Sequence, residues 1–426
     1  MIKTLKRTII FIVALCLLIP LSACQKKDKG PELQAKNLMR TISEDTAEPV
    51  KLSDEYIATA SDFSVNIFKT VATKQLKQAE NSLISPTALL SSLSLASSGA
   101  DGTTKEEFKR VLSSDMDFDE FSKMNSSFLA TLKSSGSTGV KTVSSMWIDS
   151  NVTSSVKEDF LINNAKYYGA DIYKSDFTSK TTNKDINKWI SYRTDNRTTS
   201  LDVKISKNEV VYLIDSLVFD GIWETSYKSS DMTAKEFEAY NGDIKTTDFM
   251  VSRDVTYLAD SYAVGFSKNY NGGKYSFVAL LPNEHISISD YITMLNGDIL
   301  NTMLNSKTDK KAVAQMPQFN TTFFGSAKPY LTEIGFNKIF DKKADFTKIM
   351  RKEETTYIAD VIQSVSFKAE SGVKNENQNT ANQSVVGETV DEVSKEMLVF
   401  NRPFVYAVID NTTKIPLLIG TVLTIN

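Results

Sequence analysis

Very little in this chain can do covalent chemistry. Of its 426 residues one is histidine and two are cysteine. The histidine, His285, sits in the polar run LLPNEHISIS, and the cysteines are Cys16 and Cys24. A Ser-His-Asp triad, a Cys-His dyad, a histidine-rich zinc site and an HExxH helix all fail for want of bases or ligands. Neither GxGxxG nor GxxxxGK(S/T) occurs, so the glycine loops that cradle nucleotide phosphates are missing, and GADG at Gly99–Gly102 reads as a turn. Carboxylates are scattered, with no pair singled out by spacing. The formal net charge is −3 with no basic block, so there is no nucleic-acid footprint. No cofactor or metal is expected. The chain reads as a binding or mechanical protein rather than an enzyme.

Cysteine is the residue type left with a chemical prospect. Lys3, Lys6 and Arg7 precede an apolar run, Ile9–Ile19, that is too short for a membrane span. Leu21-Ser22-Ala23-Cys24 follows and resembles the bacterial lipoprotein signal. That implies cleavage before Cys24 and a diacylglycerol group on its sulfur, a stable membrane anchor outside the cytoplasm. An ordinary cleavable signal with a chance cysteine is the alternative. The mature chain then has no other thiol and no disulfide, and its stability rests on a large core. It carries 46 basic against 52 acidic residues, a formal −6.

Three segments follow from this: residues 1–23 as signal, 24–52 as a polar tether marked by Gly30-Pro31 and Glu48-Pro49, and 53–426 as one domain. Tyr56, Phe63, Ile67, Phe68 and Val71 recur at helical spacing. Ser85-Pro86 opens a second helix through Leu89, Leu90, Leu93 and Leu95, which Gly99 ends. Thr103 and Thr104, with Glu106 and Glu107, offer two overlapping capping boxes for a third. Helices are expected to continue to about Arg197, with Ile186, Trp189 and Ile190 on one face. Strand-like runs then dominate: Val210–Phe219, Tyr275–Leu281, Ala312–Phe319, Tyr357–Phe367, Leu398–Val408 and Pro416–Ile425. Helices first and strands later predict an α+β fold.

Six blocks, in order, resemble the serpin family. NSLISPTALLSSLSLASSGADGTTKEEFKRVL (Asn81–Leu112) is similar to its helix B segment, and INKWISYRTDN (Ile186–Asn196) to its helix F motif. LIDSLVFDGIWETSY (Leu213–Tyr227) resembles the strand that ends in a tryptophan at the breach, here Trp223. GGKYSFVALLPNE (Gly272–Glu284) resembles the central Leu-Pro strand. MPQFN, then IGFNKIFDKKADFTKI (Ile334–Ile349), and FNRPFVYAVIDNTTKIPLLIGTVLTIN (Phe400–Asn426) resemble the remaining signatures.

The resemblance implies three β-sheets, a helical layer and an exposed reactive-centre loop, here the polar stretch Phe367–Val393. It implies a monomeric suicide substrate. A target protease, serine or possibly cysteine type, cleaves the loop, which then inserts into sheet A and distorts the acyl-bound enzyme. Gly372 and Val373 fall at the hinge. One phase turns Val373, Asn375, Asn377, Asn379, Ala381 and Gln383 inward; the other turns Lys374, Glu376, Gln378, Thr380, Asn382 and Ser384 inward and buries two charges. The first phase replaces the family's alanine run with amides, each costing about 1–3 kcal/mol if unpaired. Counting forward from Gly372 places the scissile bond at Val386–Gly387; counting back from Pro403 places it after Glu392. Val386 suits an elastase-like pocket and Glu392 a glutamyl protease. At the shutter, where sheet A opens, Ser85 is kept. Ala88 replaces the family's second Ser, Asp215 its Asn and Gln363 its His. The expected pairing is the Gln363 amide donating to the Asp215 carboxylate. Two alternatives stand beside a surface-tethered inhibitor: a non-inhibitory serpin scaffold or binding protein, favoured by the polar hinge, and an extracellular solute-binding lipoprotein.

Overall fold

The computed structural model describes residues 30–425 apart from 44–45, 133–137, 202–203, 307–309, 352–354 and 373–395. Cys24 and the signal therefore lie outside the described residues. One compact unit runs from Glu32 to Asn426.

In chain order the first half holds β1 (Lys36–Asn37), α1 (Asp54–Leu76), β2 (Ser82–Ile84), α2 (Pro86–Ser98), α3 (Gly102–Phe108), α4 (Phe118–Leu132), β3 (Gly139–Asp149), α5 (Glu158–Tyr167), β4 (Asp171–Ser175) and α6 (Thr181–Arg193). The second half is mostly strand: β5 (Val211–Asp220), β6 (Met232–Glu238), β7 (Ile244–Ala259), β8 (Ala263–Asn269), β9 (Tyr275–Pro282), β10 (Lys311–Pro317), β11 (Phe319–Ser326), β12 (Ile358–Ala369), β13 (Glu396–Val399), β14 (Phe404–Asp410) and β15 (Pro416–Val422). The α+β expectation holds.

Hydrogen bonding gives a six-stranded sheet, β1-β4-β3-β5-β12-β11, and a nine-stranded one, β13-β10-β7-β8-β9-β14-β15-β2 with β6 on β7. The three sheets implied by the resemblance appear as two because β7 is continuous. Its first part pairs β6 and β10, and its last residues pair β8.

Helix α1 starts where a side chain can cap it: Ser53 Oγ accepts the Tyr56 N–H, with Asp54 and Glu55 beside the positive end of the helix. Helix α2 is buried almost all round, which marks a helix inside the core rather than on its surface. It lies under β3, β5 and β15. Helix α6 covers the other face of the six-stranded sheet. Its Ile186, Trp189 and Ile190 pack with Trp147, Tyr173, Tyr212, Ile214 and Ile362.

Four expectations need correction. Residues 139–149 and 171–175 are strands, not helix. From Ser144 to Asp149 β3 is buried at every position, so no period marks it. The capping boxes are not used: Asp101 is the N-cap of α3 and makes no side-chain cap bond. Thr104 Oγ1 instead accepts the Asp345 N–H, and the Glu107 carboxylate accepts the N–H groups of Lys338 and Ile339. The run Ala312–Phe319 breaks at Gln318 into strands of different sheets, and Leu398–Val408 breaks around Pro403. Finally, the stretch from Glu32 to Leu52 is not free tether. β1 adds to the sheet edge beside β4, the Ala35 N–H bonds Asp185 at 2.7 Å, and Ala35 and Ile42 are buried.

Candidate functional site

The centre of the six-stranded sheet is a parallel pair. β5 and β12 register from Ile358↔Val211 to Val365↔Leu217. Beyond that point β5 continues to Asp220 on β3 alone, and β12 to Ala369 on β11 alone. The seam is closed at one end and unpaired at the other.

A buried polar cluster pins the closed part. Asp215 and Gln363 are opposite one another in the register and fully buried. Gln363 Nε2 donates to Asp215 Oδ1 at 2.8 Å and to the Ser85 carbonyl at 3.0 Å, while its Oε1 accepts the Ser85 N–H at 2.8 Å. Ser85 is the N-cap of α2, its Oγ accepting the Ala88 N–H and donating to the Leu417 carbonyl. One glutamine thus ties the start of α2 to the seam and bridges the two strands across it. Every polar atom of its amide is used. Ala88 has no hydroxyl to contribute and is buried in the core.

Sequence reasoning missed one member. Ser92 Oγ donates to Asp215 Oδ2 at 2.7 Å. Ser92 lies seven residues after Ser85, two helical turns along the same face, so the spacing carried the signal. Burial pushes the Asp215 carboxyl up to about 7, and the hydrogen bonds from Gln363 and Ser92 oppose that rise.

The open end is lined with aromatic rings. Trp223 stacks on Tyr270 with centroids 4.5 Å apart and meets Phe277 and Tyr227 edge-on. The Lys268 ammonium lies over the Trp223 and Tyr227 rings, and burial lowers its pKa. Trp223 Nε1 donates to the Glu370 carbonyl at 2.9 Å, and Gln318 Oε1 accepts the Ser371 N–H at 2.9 Å. The end of β12 is therefore held on both sides. Gly372 follows at φ +70° with no atom within 4 Å of where a Cβ would point. It turns the chain in a conformation that costs other residues strain. Val373, Val386, Gly387 and Glu392 lie outside the described residues.

His285 is on an exposed loop. Among the described residues no group of three or more His, Cys, Asp or Glu could hold a metal ion.

Residues 58–425 match the family Serpin (serine protease inhibitor), and the chain belongs to it. It is 25% identical over 390 residues to Intracellular coagulation inhibitor 2 of Tachypleus tridentatus, covering 88% of this chain and 92% of that protein. Among solved structures it is 30% identical to the thermophilic serpin Tengpin in the native state, with a TM-score of 0.84 over 92% of this chain and 100% of that one. Against the same serpin in the latent state the TM-score is 0.75 at 28% identity, over 89% and 100% of the two chains. The fold is thus nearer to the native arrangement than to the latent one.

Proposed function

We propose that this serpin inhibits a serine protease as a suicide substrate, through the loop 373–395, and does so at the cell surface from a lipid on Cys24. The observation that carries the reading is the seam. β5 and β12 run parallel and pair as far as Leu217 and Val365, and beyond that point the seam is unpaired on the side that leads to Gly372. A strand that turned at Gly372 and entered between them would run antiparallel to both. It would replace one parallel ladder with two antiparallel ones, the more stable pairing.

The chemistry belongs to the protease. Its serine oxygen attacks the carbonyl of the scissile residue, Val386 or Glu392, and forms an ester. The amine of the next residue leaves. The freed end of the loop then enters the seam. For that, Gln363 must let go of Asp215 and Ser85, and Trp223 must release Glu370. This chain supplies no acid or base to any step. The reading extends to cysteine proteases, whose thioester is carried in the same way, and to a monomer acting alone.

The test uses the chain from Gln25 onward, which keeps the docked segment, incubated with elastase-, subtilisin- and glutamyl-type proteases. The expected result is a covalent band of summed mass on a denaturing gel and a large rise in Tm of the cleaved protein. Cleavage with no complex and an unchanged Tm would reject inhibition and leave a non-inhibitory scaffold.

A further inference from the structure

The outer face of α6 carries a row of positive charge with no ion pair to it among the described residues. Lys180, at the N-cap, and Lys184 and Lys188 are exposed, and Tyr192, 46% exposed, continues the row. Steps of four keep these side chains on one stripe. The side chains of the three lysines make no hydrogen bond or ion pair among the described residues. The acid within the helix, Asp185, is buried and occupied by the Ala35 N–H. Nearby, Asp195 pairs with Lys141, and Asp176 accepts from Thr178. Like charges one turn apart repel. Here they stand as a row on a chain whose net charge is negative.

The path of the N-terminal segment bears on what could meet this row. Ala35 is bonded to α6 and packs with its Ile186, Trp189 and Ile190. It lies eleven positions after Cys24. Fully extended, that span reaches at most about 40 Å. A tether free up to residue 52 would reach about 100 Å. The docked strand therefore shortens the leash and starts it beside α6.

We propose that the outer face of α6 is a docking surface for anionic lipid headgroups. Phosphate oxygens take the ammonium groups of Lys180, Lys184 and Lys188, and the Tyr192 ring sits at headgroup level, where one polar end and one apolar body both fit. The proposal rests on the lipoprotein reading of Cys24. The surface itself is testable without it.

The chain from Cys24 onward has a single thiol. It is coupled through that thiol to a maleimide lipid in two kinds of vesicle, phosphatidylcholine alone and phosphatidylcholine with phosphatidylglycerol. Lysine acetylation is then mapped by mass spectrometry. Lys180, Lys184 and Lys188 are expected to be protected several-fold on the anionic vesicles only, with high salt removing the protection. Exposed Lys77 and Lys245 serve as references. For the uncoupled chain, Lys184→Gln with Lys188→Gln lowers partition onto anionic vesicles by roughly fivefold per lysine. Equal labelling on both vesicles, or equal protection of Lys77 and Lys245, overturns the surface. Lipidation in the cell is read separately from the mass of the N-terminal peptide, so either idea can fail alone.

Discussion

Asp215 should make this protein less stable as pH rises from about 4 to about 7. Its carboxyl is fully buried, bonded to Gln363 and Ser92, and pushed up to about 7 from 3.8. The folded chain keeps a proton there that the unfolded chain has lost. Stability from this group is therefore greatest below the unfolded value and is gone once the pH passes about 7. At about 1.4 kcal/mol per pKa unit, the interval from pH 5 to pH 8 removes roughly 2–3 kcal/mol. Asp215→Asn removes the titration and keeps the bonding. Its carbonyl accepts from Gln363, and its amide donates to Ser92. The assay is urea unfolding of both proteins at several pH values. The mutant is expected to gain on the wild type as pH rises, by a midpoint shift on the order of 1 M across that range. Other carboxylates titrate in both proteins and drop out of the difference. A gap that does not change with pH would refute the reasoning, because the buried carboxylate would then carry no cost at the seam.

Other consequences follow from the same contacts. Gln363→His alone should destabilise, because His cannot both donate twice and accept from the Ser85 N–H; combined with Asp215→Asn its effect should be non-additive by about 0.5–3 kcal/mol in a double-mutant cycle. Trp223→Phe keeps the stack on Tyr270 and loses the bond to the Glu370 carbonyl, so about 1 kcal/mol of stability should go, with faster hydrogen exchange at Ser371 and Gly372. A chain that begins at Lys51 loses β1 and leaves Asp185 without the Ala35 N–H, which alone is worth about 1.5–3 kcal/mol; its Tm should fall below that of the chain from Gln25. Asn379→Ala should reduce the Tm gained on cleavage; an increase would refute the match between loop and seam argued below.

Legibility followed the range of the interactions. The limits of α2 were readable because Ser85-Pro86 and Gly99 act within a turn of themselves. The pairing of Asp215 with Gln363 was expected from the family's motif positions, and the two residues do meet at 2.8 Å. Ser92 was equally available from helical spacing and was overlooked. The second half of β3 was not readable, since a strand buried on both faces lacks alternation, and β4, at five residues with a half-buried Asp171 and Lys174, is too short to show a period. The docking of residues 32–52 was invisible for another reason. Its apolar residues are sparse, and its polar partner, Asp185, lies 150 positions away. Gln318, where the other break falls, likewise has a distant partner, the Ser371 N–H that its side chain accepts.

The two departures from the family pattern bear on one another. An inserting strand must break the bridge between Asp215 and Gln363, and both groups are fully buried. Each then needs a new partner or pays the cost of an unpaired buried polar group, about 1–3 kcal/mol. An alanine run has nothing to offer them. In the first of the two phases, a strand that turned at Gly372 would bring Asn379, with its donors and acceptor, within about two residues of the position opposite Gln363. A polar strand entering a polar seam can exchange one set of hydrogen bonds for another, whereas either change alone would strand buried groups. On that phase Asn379 would count less against insertion than Asn375 and Asn377, because the part of the seam it would enter carries a carboxylate and an amide of its own.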